Sequence, residues 1–343
     1  MNKYGFPYKG SKNKLAAKII DFLPKATNFY DLFAGGFAVT HAALENGKYE
    51  YYYANDLNPL CVNTFNDAVK GKFHNETRWI SREDFFKLKD NDGYASICFS
   101  FGNNNRCYAY NPDIEPYKKA VHYAILKNDT SLLNQCFPEC DFTFLSKYKN
   151  IHEKRLALQS YLRNNKIGEN TPMKRCIEIS EISQNLSRLQ SLESLERLER
   201  LERLERLERL ERLERLERLE RLERLERLET SVTTYKNFKI KQDSVVYCDI
   251  PYFNTEGYFK QKFDYVEFYD WCSKQKELVF ISSYEMPEDF ICVKEFEHRT
   301  TLSVNKKTIE KLFIPKHQVE LYNRLRDREK ENYLFPEYFS EAV

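Results

Sequence analysis

From Leu195 to Arg227 the chain repeats the triplet Leu-Glu-Arg. This tract limits the fold more than any other feature, because the rest of the sequence must fold on either side of it. Leu, Glu and Arg are all good helix formers. Each Glu meets an Arg four residues on, as Glu196 meets Arg200, which supports a helix through i,i+4 ion pairs. A heptad coiled coil does not follow. At about 100° per residue, a leucine at every third position drifts by about 60° per repeat and circles the helix within about 18 residues. No straight partner follows such a stripe. The expectation is a helix of about 35 residues, roughly 50 Å long, inside an insertion spanning 183–230. A solvated spacer needs no partner for its charged surface. The functional alternative is an arm for self-association or for clamping DNA. A leucine-rich solenoid fits less well, since the unit is far shorter than 20 residues.

Both flanks read as α/β. Lys14 to Phe22 has helical spacing of apolar residues, and Phe29-Tyr30-Asp31-Leu32-Phe33 is a short buried strand ending in Ala34-Gly35-Gly36. A helix over Ala38 to Leu44 and a strand over Tyr51–Ala54 complete a βαβ unit. After the repeat the pattern returns, with a strand at Val245–Cys248, a helix from Val266 to Lys274 and a strand at Leu278–Ser282. Later strands are expected at Ile291–Phe296 and 309–314. Residues 61–180 are less regular and rich in Asn, Lys and Tyr, with a polar loop at Phe101–Arg106 and helical segments at 116–135 and 142–164. The fold class is therefore α/β: one doubly wound, Rossmann-like sheet assembled from 1–60 and 231–343. A mainly helical region, 61–182, is set between these parts.

Composition removes several function classes. No apolar run reaches the ~20 residues needed to span a bilayer, and the N-terminal residues lack the apolar stretch of a signal peptide. A cytoplasmic protein is expected. The nine cysteines include no CxxC pair, so neither a zinc site nor a disulfide framework is indicated and no metal is expected. Net charge is only +2, but the repeat contributes many charges that cancel. Outside it, residues 3–25, 118–175 and 299–330 are locally basic, as phosphate contacts require. A solvated mixed-charge surface explains each stretch equally well by itself.

Four short segments carry chemistry. The Gly turn Asp31-Leu32-Phe33-Ala34-Gly35-Gly36-Phe37 closes a strand where doubly wound sheets bind ligands, and its glycines permit close backbone approach. It is not GxGxxG, so a dinucleotide is not indicated. Asp56 ends the second strand, about 20 residues on, where a carboxylate accepts bonds from ribose hydroxyls; capping of the next helix is the structural alternative. Asp249-Ile250-Pro251-Tyr252 ends another strand. It offers a carboxylate, a backbone carbonyl and an aromatic face, which suit an amino group on a flat ring. A Pro-terminated strand with a surface Tyr is the plainer reading. Finally, Pro7-Tyr8-Lys9-Gly10-Ser11-Lys12 sets an aromatic and a lysine around a glycine before a helix. The ring could stack on adenine and the lysine could pair with a carboxylate; a basic loop entering a helix is the simpler account.

In this order, the four segments resemble the Dam-like, D12 class adenine-N6 DNA methyltransferases. The likeness is good over 4–60 and 244–285 and poor between. Tyr8-Lys9-Gly10-Ser11-Lys12 is similar to the family's aromatic-x-Gly-Gly-Lys, with Ser for one Gly. Asp31–Gly36 is similar to its acid-x-Phe-x-Gly-x-Gly turn, and Asp249–Tyr252 to its Asp-Pro-Pro-Tyr motif, with Ile250 for one Pro. The family uses that position through its main-chain carbonyl, which Ile retains. The order of motifs is that of the family's α arrangement.

The resemblance implies a site-specific, adenine-specific DNA methyltransferase that uses S-adenosylmethionine and double-stranded DNA. It implies cofactor contacts from Tyr8, Lys12, Asp31, Phe33, Gly35, Asp56 and Asp249, with Asp31 and Gly35 under the methionine moiety. Asp249, Ile250, Pro251 and Tyr252 would hold a flipped adenine, and 61–182 would read the target. The family's acid before the last motif's strand is replaced here by Thr234-Tyr235. No Pro-Cys dipeptide is present, which argues against cytosine C5 chemistry. Cytosine N4, RNA adenine and a protein glutamine amide remain alternative amines. A non-catalytic DNA-binding relative and a structural protein organised by the repeat are alternatives of other classes.

Overall fold

The structure, a computed structural model, describes residues 4–103, 105–178, 184–195, 224–252, 263–299 and 307–334. The chain opens with α1 (Ala16–Phe22), β1 (Asn28–Asp31), α2 (Ala38–Asn46), β2 (Tyr51–Asn55) and α3 (Pro59–Val69). Helices α4 (Arg82–Leu88), α5 (Gly93–Cys98), α6 (Glu115–Leu126), α7 (Ser131–Cys136), α8 (Ile151–Asn164), α9 (Lys174–Glu178) and α10 (Gln184–Leu195) follow. After the repeat come β3 (Leu228–Ser231), β4 (Ser244–Cys248), α11 (Tyr265–Ser273), β5 (Leu278–Ser283), β6 (Phe290–Arg299), β7 (Lys307–Pro315) and α12 (Val319–Leu334).

The chain divides into two compact units. One contains 10–65 and 198–343 with a short N-terminal piece, 2–5; the other contains 66–197 with 6–9. The first is built on a seven-stranded mixed sheet of order β3-β2-β1-β4-β5-β7-β6. Strands β3, β2, β1, β4 and β5 are parallel, and β7 is antiparallel to both β5 and β6. Strands β4 and β5 are buried along their whole length, as expected of parallel strands covered on both faces.

Alternation along each strand explains the two cores. Phe29, Tyr52, Val245, Tyr247, Leu278 and Phe280 pack in one cluster with Ile19 and Ile20 of α1 and Ala42 and Ala43 of α2. Their neighbours Tyr30, Tyr53, Val246, Cys248, Val279 and Ile281 pack in another with Phe268 and Cys272 of α11. Successive side chains of a strand point to opposite faces, so one continuous apolar run supplies both layers. Asn55, 1% exposed, locks the β2 end. Its Nδ2 donates to the carbonyls of Leu32 and Thr233. Its Oδ1 accepts from Ser231 Oγ and the Thr233 N–H.

The second unit is helical. Ala120, Val121, Leu133, Phe142, Leu158 and Leu162 form its core together with Leu186 of α10. In α10, Leu186, Leu189, Leu192 and Leu195 are all fully buried, as are Asn185 and Ser191. Ser187, Gln190, Glu193 and Ser194 are only half-buried and mark the less covered side of the helix. Among the described residues, α10 groups with the helical unit and Leu228–Ser231 forms the edge strand β3. Most of the expected repeat helix, 196–223, lies outside the described residues. Among the described residues no helix is long and apolar enough to cross a membrane.

Candidate active site

Because β2, β1, β4 and β5 are parallel neighbours, their carboxyl ends share one edge of the sheet. Asp31 ends β1, Asp56 follows β2, Asp249 follows β4 and Tyr284 follows β5. Open α/β sheets form their ligand crevice at this edge, where the strand order reverses.

Asp31 is 1% exposed. Its Oδ2 accepts from Thr40 Oγ1 at 2.7 Å, while its Oδ1 is buried with no hydrogen-bond partner. Burial pushes its carboxyl up to about 7, and the nearby charges of Asp249 and Asp56 add to the rise. Asp56 Oδ2 accepts the Gly35 N–H at 2.8 Å and its Oδ1 the Asn58 N–H at 2.8 Å. Burial raises this carboxyl also, against the pull of the two N–H groups. Gly35 takes a left-handed φ of 49°, which brings its N–H to the carboxylate. Phe37 shares that conformation, φ 57°, uncommon for a bulky residue. Stacking on Phe65, centroids 4.2 Å apart, helps hold it.

Lys12, 7% exposed, binds the other half of the site. Its Nζ lies 2.6 Å from Asp249 Oδ1 and 2.7 Å from the Tyr252 hydroxyl. Burial raises the Asp249 carboxyl to about 6; Lys12 opposes this and the charge of Glu310 adds to it. A salt-bridged carboxylate usually falls below its ordinary value, so desolvation here outweighs the lysine. Ile250 is 3% exposed in the core. The Pro251 carbonyl accepts from the Tyr265 hydroxyl at 3.0 Å.

The structure thus brings together Lys12, Asp249 and Tyr252, and beside them Asp31, Gly35 and Asp56. Phe33 packs its ring against Tyr235, Phe263 and Phe268. Tyr235, which stands where an acid was sought, is therefore a core residue. Tyr8 lies in the 6–9 segment grouped with the helical unit, edge-on to Phe6.

Three contacts were not foreseen, those of Glu310, Tyr284 and Gly5. Glu310 on β7, 2% exposed, accepts from the Tyr252 hydroxyl at 2.8 and 2.9 Å and from Ser282 Oγ at 2.6 Å. Tyr284 stacks on Tyr252, centroids 4.5 Å apart and rings 30° from parallel. Gly5 packs its backbone against the Gly turn: a Cβ there would meet the Gly36 carbonyl oxygen at 2.1 Å and the Ala38 nitrogen at 2.7 Å. Only the β-strand parity of Glu310 with the apolar Leu312 and Ile314 hinted that it points inward.

The sequence model of the D12 class N6 adenine-specific DNA methyltransferases matches residues 8–185, more than half of the chain. The chain belongs to this family. The matched span includes Tyr8, Lys12, Asp31 to Gly36 and Asp56, and ends before the repeat. Asp249 to Tyr252 lie beyond it, joined to it by the Lys12–Asp249 pair. No curated protein matches the chain.

Proposed function

We propose that the protein transfers a methyl group from S-adenosylmethionine to the N6 amino group of a flipped adenine in duplex DNA, as a site-specific adenine methyltransferase of the cytoplasm. The observation that carries this reading is the 2.6 Å contact between Lys12, inside the D12 match, and Asp249, outside it. It ties the family's N-terminal motif to the Asp-Ile-Pro-Tyr segment on one sheet edge.

The donor set fits the cofactor. Asp31 Oδ1 is a buried acceptor without a donor, a costly state that an ammonium such as the cofactor's amino-acid end relieves. Asp56, fixed by two backbone N–H groups, keeps lone pairs for hydroxyl donors. When bound, S-adenosylmethionine supplies an electrophilic methyl on a sulfonium.

The chain's own residues do the rest. Asp249 and the Ile250 carbonyl accept the two N–H bonds of the amino group and steer its lone pair. Positive charge develops on N6 as the new bond forms. A carboxylate fixed by Lys12 stabilises that charge more than the neutral ground state. Ile250 buries its side chain in the core, so its substitution for proline leaves the backbone contribution intact. Tyr252 offers its ring to the base.

The helical unit would read the DNA. Its loop after α5 is a short hairpin closed by Phe101 N–H to Cys107 carbonyl and Ala109 N–H to Phe99 carbonyl bonds, both 2.7 Å. Phe101 is 63% exposed there. The test is direct: incubate the purified chain with tritiated cofactor and duplex DNA, and sequence DNA from an expressing host for N6-methyladenine with its flanking bases. Absence of label and of modified adenine rejects the reading.

A further inference from the structure

Glu310 is a buried carboxylate to which the mechanism above gives no task. A charge removed from water is costly unless donors satisfy it, and the donors here are site groups. Tyr252 and Ser282 donate to it, and Lys12 Nζ lies 3.9 Å from its Oε1. The direction of each bond is forced. An ammonium can only donate, so Lys12 donates to the Tyr252 oxygen. A phenol has one proton, which must then point to Glu310. The hydroxyl of Tyr252 is held at two points, from α1's approach and from β7. The ring it carries makes the stacking plane already in contact with Tyr284.

We propose that Glu310, steadied by Ser282, is a positioning residue that fixes the plane of Tyr252 before the base arrives. The proposal rests on the functional reading above. Strand β7 lies next to β5, which lies next to β4, so the acid reaches Tyr252 from an antiparallel strand outside the family's matched segment. Lys12 is thereby shared between two carboxylates, and Asp249 and Tyr252 are set by one connected network. Networks of this kind act as units, so changing two members together costs less than the sum of the two single changes.

Four proteins decide the matter: wild type, Glu310→Gln, Tyr252→Phe and the double variant. Glu310→Gln keeps shape and should fold; Ser282→Ala is a milder second probe of the same link. Glu310→Gln is expected to lower kcat about tenfold, in keeping with a misplaced reacting group, with cofactor KM within about twofold. The double variant should be no slower than the slower single one. Unchanged kcat in Glu310→Gln, or losses that multiply, overturns the proposal.

A second readout needs no activity. In ligand-free protein labelled with 13Cζ-tyrosine, the Tyr252 resonance is identified by its loss in Tyr252→Phe. It should move in Glu310→Gln and move less in Ser282→Ala. A resonance that stays put overturns the proposal whatever the enzyme does. A wild-type chain that never methylates DNA, with the resonance moving as expected, overturns the functional reading and leaves Glu310's hold on Tyr252 standing.

Discussion

Lys12 Nζ lies 2.6 Å from Asp249 Oδ1 although 237 positions separate the two residues. Breaking a buried pair leaves an uncompensated charge, and here two carboxylates would lose one ammonium. Lys12→Ala should cost about 2–3 kcal/mol, less than the ~3–5 of a fully buried pair, because the Asp249 side chain is 20% exposed. Urea unfolding measures it; an unchanged midpoint removes the pair from the account.

Asp249 is the acceptor on which the proposed chemistry turns. Asp249→Ala should lower methyl transfer by more than about 100-fold. Circular dichroism establishes folding, and label from tritiated cofactor establishes the rate. Near-normal activity in a folded variant ends the assignment.

The same carboxyl sets a pH limb. Burial holds it at about 6, and only the ionised form offers one oxygen to Lys12 and the other as an acceptor to the amino group. The ratio kcat/KM, which reports the free enzyme, should fall about tenfold per unit as pH drops below 6. An acid limb centred near 4 contradicts the buried state of Asp249.

Asp31 makes a thermodynamic counterpart. Its carboxyl titrates from 3.8 ordinarily and about 7 in the fold. Between those values the folded chain holds a proton that the unfolded chain has lost. Stability from this group is therefore full below about 4 and declines as pH rises to 7. Asp31→Asn removes the decline and should stabilise the ligand-free protein by roughly 1–3 kcal/mol at pH 8, with little effect near pH 4. A gain that is the same at both pH values contradicts the buried titration.

Gly5 has φ 61° and no room for a methyl. Gly5→Ala should destabilise by about 2 kcal/mol or more and shift the Gly turn against which it packs. Thermal unfolding checks the first effect and cofactor affinity the second. An unaltered melting temperature shows that the segment is not held there.

How much of this was legible in the sequence follows from the reach of each signal. Strand ends are local: an apolar run followed by Asp31, Asn55-Asp56 or Asp249 marks the sheet edge from sequence alone. Parallel pairing then brings the three acids together. The Tyr252 hydroxyl is a different case. Its partners come from α1's approach and β7, which are tied to it only by sheet order, and no spacing rule connects Lys12, Tyr252 and Glu310. Gly5 escaped for a similar reason, since one glycine near a terminus gives no hint of the backbone it will touch. The leucines of α10 that lead into the repeat are all buried, while the repeat helix expected from the drifting stripe lies outside the described residues.

Strand β3 begins with Leu228 and Glu229, the first two letters of the repeating triplet, paired with Tyr52 and Tyr53 of β2. Gaining or losing whole triplets through replication slippage would present the same two side chains to that edge. The residues that enter the sheet would therefore be the same at any copy number, with Leu228 and Glu229 opposite Tyr52 and Tyr53.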